Sequence, residues 1–166
     1  MDVGEALKRR RSTRHFEPEG VLLPRELIED LIQEACQAPS EFDLQPWRFI
    51  VVRDRERKEV LYQCCFKQPM IRDASAVVIV LGDTRGHERA PQAVEEWVAQ
   101  GVIAAPEAPR VEASIRAAYD GSDWARMLLA VRNPCFAAMS LMLLATGNGI
   151  ATSPVVAFAE EALRRA

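Results

Sequence analysis

The sequence lacks the features that would direct a chain to a membrane, to secretion or to nucleic acid. Its 166 residues carry a net charge of −3, which argues against a general nucleic-acid binder. Residues 1–16 contain no apolar core of a signal peptide. The longest apolar run, residues 136–145, is too short and too interrupted to span a bilayer. We therefore expect a cytoplasmic protein that binds neither nucleic acid nor membrane.

The residue types of common metal and nucleophile sites are also sparse. The cysteines form no Cys-x-x-Cys pair and have no histidine at ligand spacing, so no structural zinc or other metal site is predicted. Free thiols in a reducing compartment are the expectation. We interpret His15 and His87 as surface residues rather than as bases, and no side chain is assigned as catalytic.

The first half of the chain predicts helices that alternate with two strands. A hydrophobic content of 49% and a charged content of 27% are ordinary for one globular domain, here residues 1–166. An apolar stripe over residues 27–36 predicts a helix that ends near Ala38, and "RFIVV" predicts a strand. Asp54 is the expected N-cap of the next helix. The apolar run over residues 75–83 predicts a strand covered on both faces. The class is α+β.

Apolar helical segments fill the second half. Residues 94–101 and 124–131 predict two helices, and Pro106 with Pro109 indicates a loop between them. Asn133 is expected to cap a further helix that has Pro134 in its first turn. Because this helix is apolar on every side, we expect it to be buried nearly all round. Residues 159–166 begin a last helix.

Two polar segments suggest a binding site. The basic segment (residues 8–14, "KRRRSTR") carries several guanidinium groups and a hydroxyl, and guanidinium groups suit bidentate contacts with phosphate and carbonyl oxygens. A solvated basic face or a nucleic-acid arm would have the same composition. The second segment, "APSEFDLQPWRFIVV" (residues 38–52), carries more polar groups before its strand than a connector needs.

Four segments in order resemble the FMN-dependent nitroreductase family: "RRRSTRHF", "APSEFDLQPWRFIVV", "KQPMIRDASAVVIVLGD" and "GNGIATSPVVAF". The resemblance spans nearly the whole chain. It implies a nitroreductase-like fold, in which a central, mostly antiparallel sheet is flanked by helices and a core helix is buried. Family members normally continue through another strand and an extension that embraces the partner. The C-terminal part of the usual fold is therefore expected to be absent from this sequence.

The resemblance implies flavin sites at the subunit interface of a homodimer. Gln68 fits the pyrimidine edge of the ring, since its amide both donates and accepts; an exposed polar residue before Pro69 is the alternative. The Pro-Ser loop (residues 39–46) of the partner lies against the ring. Backbone amides of the late loop (residues 147–158) approach flavin N5. The implied FMN contacts are Arg10, Arg11, Ser12, Arg14, Pro39, Ser40, Glu41, Asp43, Gln68, Ser153, Pro154, Val155, Val156 and Ala157.

Three positions depart from the family pattern. Glu41 replaces a common Ser and Asp43 a common Asn, so two carboxylates would oppose the anionic reduced ring. Alternatively, Asp43 only caps a turn. Ala157 replaces a Gly, which leaves the backbone less free to approach the flavin. Phe42 is expected to lie over the ring and to restrict the shape of the substrate.

The implied activity is hydride transfer from NAD(P)H through FMN to a flat acceptor such as a nitroaromatic or a quinone. The implied mechanism is ping-pong, because donor and acceptor occupy the same place in turn. Two alternatives stay open. One is a flavoprotein of this fold with other redox chemistry, either dehalogenation or a specialised oxidation. The other is a flavin-free dimeric module that binds a partner through its basic arm.

Overall fold

The computed structural model describes residues 1–17 and 20–166, and helices dominate this part of the chain. Three 3-10 turns, at Glu41–Asp43, Gly86–Arg89 and Ala105–Glu107, connect some of the longer elements. The predicted α+β class is confirmed. In chain order the helices and strands are α1 (Val3–Arg9), α2 (Arg25–Ala35), β1 (Trp47–Val52), α3 (Arg55–Cys64), α4 (Pro69–Asp73), β2 (Val77–Gly82), α5 (Ala90–Ala99), α6 (Ala108–Tyr119), α7 (Asp123–Gly147) and α8 (Glu160–Arg165).

The two strands form a small antiparallel sheet. The N–H of Asp83, just after β2, donates to the carbonyl of Pro46, just before β1, at 2.9 Å. The end of one strand therefore lies beside the start of the other. The sequence predicts that β2 is covered on both faces, but its residues are half-buried or exposed. That expectation is wrong for the chain by itself, since β1 alone pairs with β2 among the described residues.

Local capping explains where several helices begin. Asp54 Oδ1 accepts a hydrogen bond from the N–H of Arg57 at 2.9 Å, which confirms Asp54 as the N-cap of α3. The loop predicted around Pro106 and Pro109 is wrong from Ala108 onward. Each of these prolines lies in the first turn of a helical segment, where its missing N–H costs nothing.

The chain divides into two compact units, each with its own hydrophobic core. The first unit contains Met1–Ala35, Phe49–Ile79 and Met139–Ala166, and the second contains Cys36–Arg48 and Val80–Ala138. In the first unit α3 packs against α4 and α8; in the second α5 packs against α6. The buried core residues of the first unit are Val52, Leu61, Cys65 and Ile71. Those of the second are Leu44, Ala90, Ala93, Val94, Ile115, Tyr119 and Leu129.

α7 is one helix of 25 residues. The predicted helix start at Asn133 is wrong, because the helix continues through Pro134. Proline has no N–H, so the carbonyl of Ala130, four residues earlier, has no partner within the helix.

The expectation that the later part of α7 is buried nearly all round is also wrong for this chain. Between residues 134 and 145 only Pro134, Ala137 and Ala145 are fully buried, and Phe136 is half exposed. By length and composition α7 could cross a membrane, a property that it shares with the core helices of globular proteins.

Candidate functional site

In the first unit the basic segment lies beside the late loop. Ser12 forms a parallel β-bridge with Thr152, and the N–H of Thr13 donates to the carbonyl of Thr152 at 2.9 Å. The first and the last of the segments implied to bind flavin are therefore neighbours in space. Thr152 Oγ1 is buried and has no hydrogen-bond partner among the described residues.

The arginines of the basic segment have different surroundings. Arg11 Nη1 donates to the carbonyls of Lys8 and Arg10, at 2.6 and 2.9 Å, so Arg11 caps the C-terminal end of α1. Its implied flavin contact would have to replace this local role. The side chain of Arg14 is exposed and that of Arg10 is half-buried, and neither forms an ion pair within residues 1–17 and 20–166. The guanidinium groups of Arg10 and Arg14 are therefore available to contact a ligand near the exposed Ser12.

Gln68 connects the turn before α4 to the late loop. Its Nε2 donates to the carbonyl of Ala157 at 3.1 Å and to that of Cys65 at 3.0 Å. The side chain is half-buried, so the alternative of an exposed polar residue is wrong. Gln68 Oε1 accepts no hydrogen bond within the described part of the chain, and it is free to accept one from a ligand N–H.

A buried lysine fixes the short helix that follows Gln68. Lys58 Nζ donates to the carbonyls of Arg72 and Ala74, at 2.9 and 2.6 Å, and so holds the C-terminal end of α4. Burial lowers the pKa of Lys58, while Asp73 acts in the opposite direction. Because α4 is anchored at this end, the Gln68 turn at its other end has a defined position.

Two hydrogen bonds, at Ser153 and at Ala159, anchor the late loop on either side of a stretch whose backbone amides are free. Ser153 Oγ donates to Met70 Sδ at 3.3 Å, and the N–H of Ala159 donates to the carbonyl of Cys64 at 2.8 Å. Between these anchors, the N–H groups of residues 155–157 donate to no backbone carbonyl in the described chain. The loop therefore presents a row of unused donors.

The side chains of residues 154–157 in the late loop lie in different environments. Val155 packs against the core of the first unit, whereas Val156 is 91% exposed. Pro154 and Ala157 are also exposed. The arrangement fits the implied use of backbone amides, because an apolar side chain holds the loop while the backbone stays accessible.

The Pro-Ser loop belongs to the second unit and adopts a strained conformation. Phe42, Asp43 and Gln45 have φ angles of 54°, 49° and 46°, in the left-handed region that bulky residues rarely adopt. Gln45 also precedes Pro46, and a residue before proline is restricted further. Such strain persists only where the surrounding structure determines the conformation.

Hydrogen bonds inside the Pro-Ser loop centre on Ser40. Ser40 Oγ accepts from the N–H of Gln45 at 2.9 Å, and the Ser40 carbonyl accepts from the N–H of Asp43 at 3.1 Å. The Ser40 hydroxyl can still donate its own proton. The adjacent Pro39 is exposed.

Two further hydrogen bonds tie the loop to helical segments. The N–H of Glu41 donates to Asn133 Oδ1 at 2.8 Å, and Arg89 Nη1 donates to the carbonyl of Leu44 at 2.9 Å. Leu44 itself is fully buried in the core of the second unit. The loop is therefore built into this unit and is not a loose connector.

Both carboxylates of the Pro-Ser loop are available. Glu41 and Asp43 are exposed, and neither carboxylate accepts a hydrogen bond or forms an ion pair among the described residues. The alternative that Asp43 caps a turn is wrong. Ser40 Oγ, and not the Asp43 carboxylate, accepts the hydrogen bond from the N–H of Gln45 that closes the loop. Phe42 packs against the core of the second unit, so it supports the loop from within. Its implied contact with the ring stays a prediction.

Sequence reasoning missed a buried polar pair near the Pro-Ser loop. The ring of Tyr119 lies 5.1 Å from that of His87, and both Tyr119 Oη and His87 Nδ1 are buried without a partner in the described chain. His87 as a whole is half-buried, so the interpretation as a surface histidine holds only in part. Burial, with smaller effects from Glu41 and Asp83, raises the pKa of Tyr119 to about 12. The four-residue spacing of Ile115 and Tyr119 was the available signal for this burial.

Gly86 makes this close packing possible. A Cβ on Gly86 would come within 2.7 Å of Tyr119 Oη and 2.9 Å of Pro46 Cβ. Beside Gly86 is a small cavity of about 200 Å³, whose lining includes Arg48, Asp83 and Arg89.

Comparison with known proteins agrees with the family that the sequence segments resemble. The sequence model described as the Nitroreductase family matches residues 7–166. A Bacillus subtilis protein assigned as an NAD(P)H nitroreductase, YodC, is 32% identical over 161 residues, which cover 97% of this chain and 79% of that protein.

Solved structures of similar proteins agree with the fold. The structure of ydfN from Bacillus subtilis, assigned as a nitroreductase, has a TM-score of 0.91 at 28% identity and covers 98% of this chain and 78% of that one. A protein of Exiguobacterium sibiricum, assigned as a nitroreductase and solved in complex with FMN, has a TM-score of 0.86 at 28% identity. The match covers 99% of this chain and 80% of that one. The nitroreductase-like fold expected from the motifs is confirmed. The chain belongs to the nitroreductase family.

Proposed function

We propose that this protein transfers hydride from NAD(P)H through bound FMN to a flat organic acceptor, such as a nitroaromatic or a quinone, by a ping-pong mechanism. Its broader class follows from the family: the chain is an NAD(P)H-dependent oxidoreductase, and FMN is its cofactor. The observation that best supports the site is the pairing of Ser12 with Thr152, because it places a cationic segment beside a loop with free amides.

The residues of the first unit fit FMN by their chemistry. FMN has an anionic phosphate, a hydroxylated chain and a flat ring with polar and apolar surfaces. Arg10 and Arg14 would hold phosphate or carbonyl oxygens, and Ser12 would add a hydroxyl. Gln68 Oε1 would accept from the pyrimidine edge, and the free amides of residues 155–157 would face the ring near N5.

The chain contributes orientation and electrostatics to the reaction. When bound, FMN supplies the hydride chemistry, and none of the side chains is assigned as an acid, base or nucleophile. The Pro-Ser loop would present Glu41 and Asp43 towards the cofactor of the partner subunit. Their charge would disfavour the anionic reduced form and so would tune the reduction potential.

The proposal includes a homodimer in the cytoplasm. Nitroreductases are generally dimeric, and the exposed apolar residues of α7 need a partner to cover them. The four cysteines, Cys36, Cys64, Cys65 and Cys135, are free thiols, as a reducing compartment would keep them.

Colour is the simplest test of this function. We expect the purified protein to be yellow, to release FMN on heating and to oxidise NADH or NADPH when menadione is supplied. A colourless protein that does not bind added FMN would contradict the proposal and favour the flavin-free binding module. A yellow protein that reduces neither quinones nor nitroaromatics would favour a different redox reaction on the same fold.

A further inference from the structure

We propose that Asn133, in the middle of α7, is a positioning residue that sets the conformation of the Pro-Ser loop. Asn133 belongs to none of the segments that resemble the family motifs, and its part in the reaction rests on the proposed function, in which this loop contacts FMN. Its part in holding the loop does not depend on that function, so the two can be tested separately.

Both ends of the Asn133 amide have a partner. Oδ1 accepts from the N–H of Glu41 at 2.8 Å, and Nδ2 donates to the carbonyl of Leu129 at 2.9 Å. One partner is a donor and the other an acceptor, so only one orientation of the amide satisfies both. The side chain is 3% exposed, which keeps water from replacing either hydrogen bond.

The bond to Leu129 fixes the amide on a rigid support. Leu129 lies one helical turn before Asn133 and is itself in the core of the second unit. The next residue, Pro134, cannot donate within the helix, yet the helix continues through it. Asn133 therefore holds the amide of Glu41 at a defined distance from the middle of α7.

The first half of the loop, residues 39–43, depends on this bond more than the second half does. Leu44 is retained by its own burial and by Arg89, whatever happens at Asn133. Glu41 begins the turn that contains the left-handed Phe42 and Asp43, and it is exposed. Without Asn133 Oδ1, this half keeps the hydrogen bonds of Ser40 within the loop, the bond from the N–H of Leu44 to the Glu41 carbonyl at 3.3 Å, and the packing of Phe42. None of these contacts holds the amide of Glu41.

The test compares two substitutions at Asn133 with a matched control in the same helical region. Asn133→Leu removes both hydrogen bonds, whereas Asn133→Asp retains an oxygen that can accept from Glu41 and loses the donor to Leu129. Asn148→Leu is the control, because Asn148 Nδ2 also donates to the carbonyl four residues earlier, at 2.9 Å, but lies outside the second unit. If Asn133→Leu does not fold, the smaller Asn133→Ala replaces it.

Hydrogen–deuterium exchange of the loop is the first measurement, made on the purified full chain before and after addition of FMN. We expect Asn133→Leu to raise exchange in residues 39–43 about tenfold or more, because a backbone amide loses its acceptor. Asn148→Leu should leave this exchange within about twofold of the parent protein. Asn133→Asp keeps the acceptor for Glu41 but loses the bond to Leu129 and buries a carboxylate, so its exchange should lie between that of the parent and that of Asn133→Leu. Equal protection in all four proteins, or a loss of protection in Asn148→Leu as large as that in Asn133→Leu, would overturn the proposal.

FMN titration and steady-state kinetics then connect the loop to the site. We expect Asn133→Leu to raise the Kd for FMN about tenfold and to change kcat for menadione reduction, with smaller changes of both in Asn133→Asp. A loosened loop with unchanged FMN affinity and kcat would show that this loop does not serve the flavin. If no variant or parent binds FMN, the proposed function fails, while the exchange data still decide whether Asn133 positions the loop.

Discussion

Arg14 is the residue at which the family resemblance makes its simplest quantitative prediction. Its exposed guanidinium has no ion-pair partner within the described chain, so the fold has little to lose from its removal. Arg14→Ala should cost about 1.5–3 kcal/mol of FMN binding free energy, or roughly a 10- to 150-fold weaker affinity. Fluorescence titration of the apoprotein measures this, with the exposed Arg55→Ala as the control. Retention of full FMN by Arg14→Ala after dialysis would contradict the assigned contact.

Asp43 carries a prediction about reduction potential, because its carboxylate has no partner in the described structure. At about 6 Å from the pyrimidine and an effective dielectric near 20, it would repel the reduced anion by roughly 3 kcal/mol. For a two-electron couple this corresponds to a depression of the potential by about 60 mV, which solvent screening can reduce to about a third of that.

Asp43→Asn should therefore raise the midpoint potential by tens of millivolts and bind FMN at least as tightly. Spectroelectrochemical titration at constant ionic strength is the measurement. The exposed Asp120, at the end of α6, supplies a control substitution, Asp120→Asn, that should leave the potential unchanged. An unchanged potential in Asp43→Asn would mean that the carboxylate does not face the flavin.

Residue-level roles were predictable where they depend on neighbours in sequence. Asp54 caps α3 through an amide three residues away, so the sequence pattern sufficed. Asn133 is followed by proline and has the same local signature of a cap, yet its side chain bonds the amide of Glu41, 92 residues earlier. Partners at that separation leave no local signal. The contact between the rings of Tyr119 and His87, which are 32 residues apart in sequence, was missed for the same reason.

Gly82 carries a prediction about how two elements meet within the second unit. A Cβ on Gly82, the last residue of β2, would lie 1.6 Å from the carbonyl oxygen of Ala130 in α7. That carbonyl lacks a helix partner because of Pro134, and the backbone of Gly82 covers it. Gly82→Ala should destabilise the protein by at least about 1–3 kcal/mol, the range that is typical of overpacking.

Thermal unfolding of Gly82→Ala against Gly147→Ala measures this effect. Gly147 is the last residue of α7, and a Cβ there would meet nothing within 4 Å. We expect a clear loss of melting temperature in the first variant and little change in the second. Similar melting temperatures would show that β2 and α7 do not approach as closely as the structure has them.

The boundaries of helices and strands were predictable except near prolines, because a proline can either interrupt a helix or lie in its first turn. Pro106, Pro109 and Pro134 all indicate breaks in a local pattern. In the structure the first two lie in first turns, and the third lies inside a continuous helix. What decides between these outcomes is packing, for example of Leu129 and Ile115 in one core, and packing partners are not specified by local spacing. The motif segments were recognisable because each is short and contiguous.

At the scale of the whole molecule, the surface of α7 predicts an obligate homodimer. Trp124, Met127, Val131 and Cys135 follow one another at helical spacing and are all exposed; these four residues are the α7 stripe. An exposed apolar stripe on a helix indicates an interaction surface. We expect a dimer interface of more than about 2,000 Å², the range of permanent complexes.

Light scattering at micromolar concentration, with FMN content measured on the same samples, tests this assembly. The parent protein should be a dimer, and Val131→Glu should weaken the dimer because a buried charge without a partner is costly. Val102→Glu makes the same change at an exposed valine outside the α7 stripe, and it should stay dimeric. Because the implied FMN site uses the Pro-Ser loop of the partner subunit, Val131→Glu should lose FMN together with the dimer. A monomeric parent protein that is fully loaded with FMN would refute both inferences, whereas a dimeric Val131→Glu with normal FMN would remove the α7 stripe from the interface.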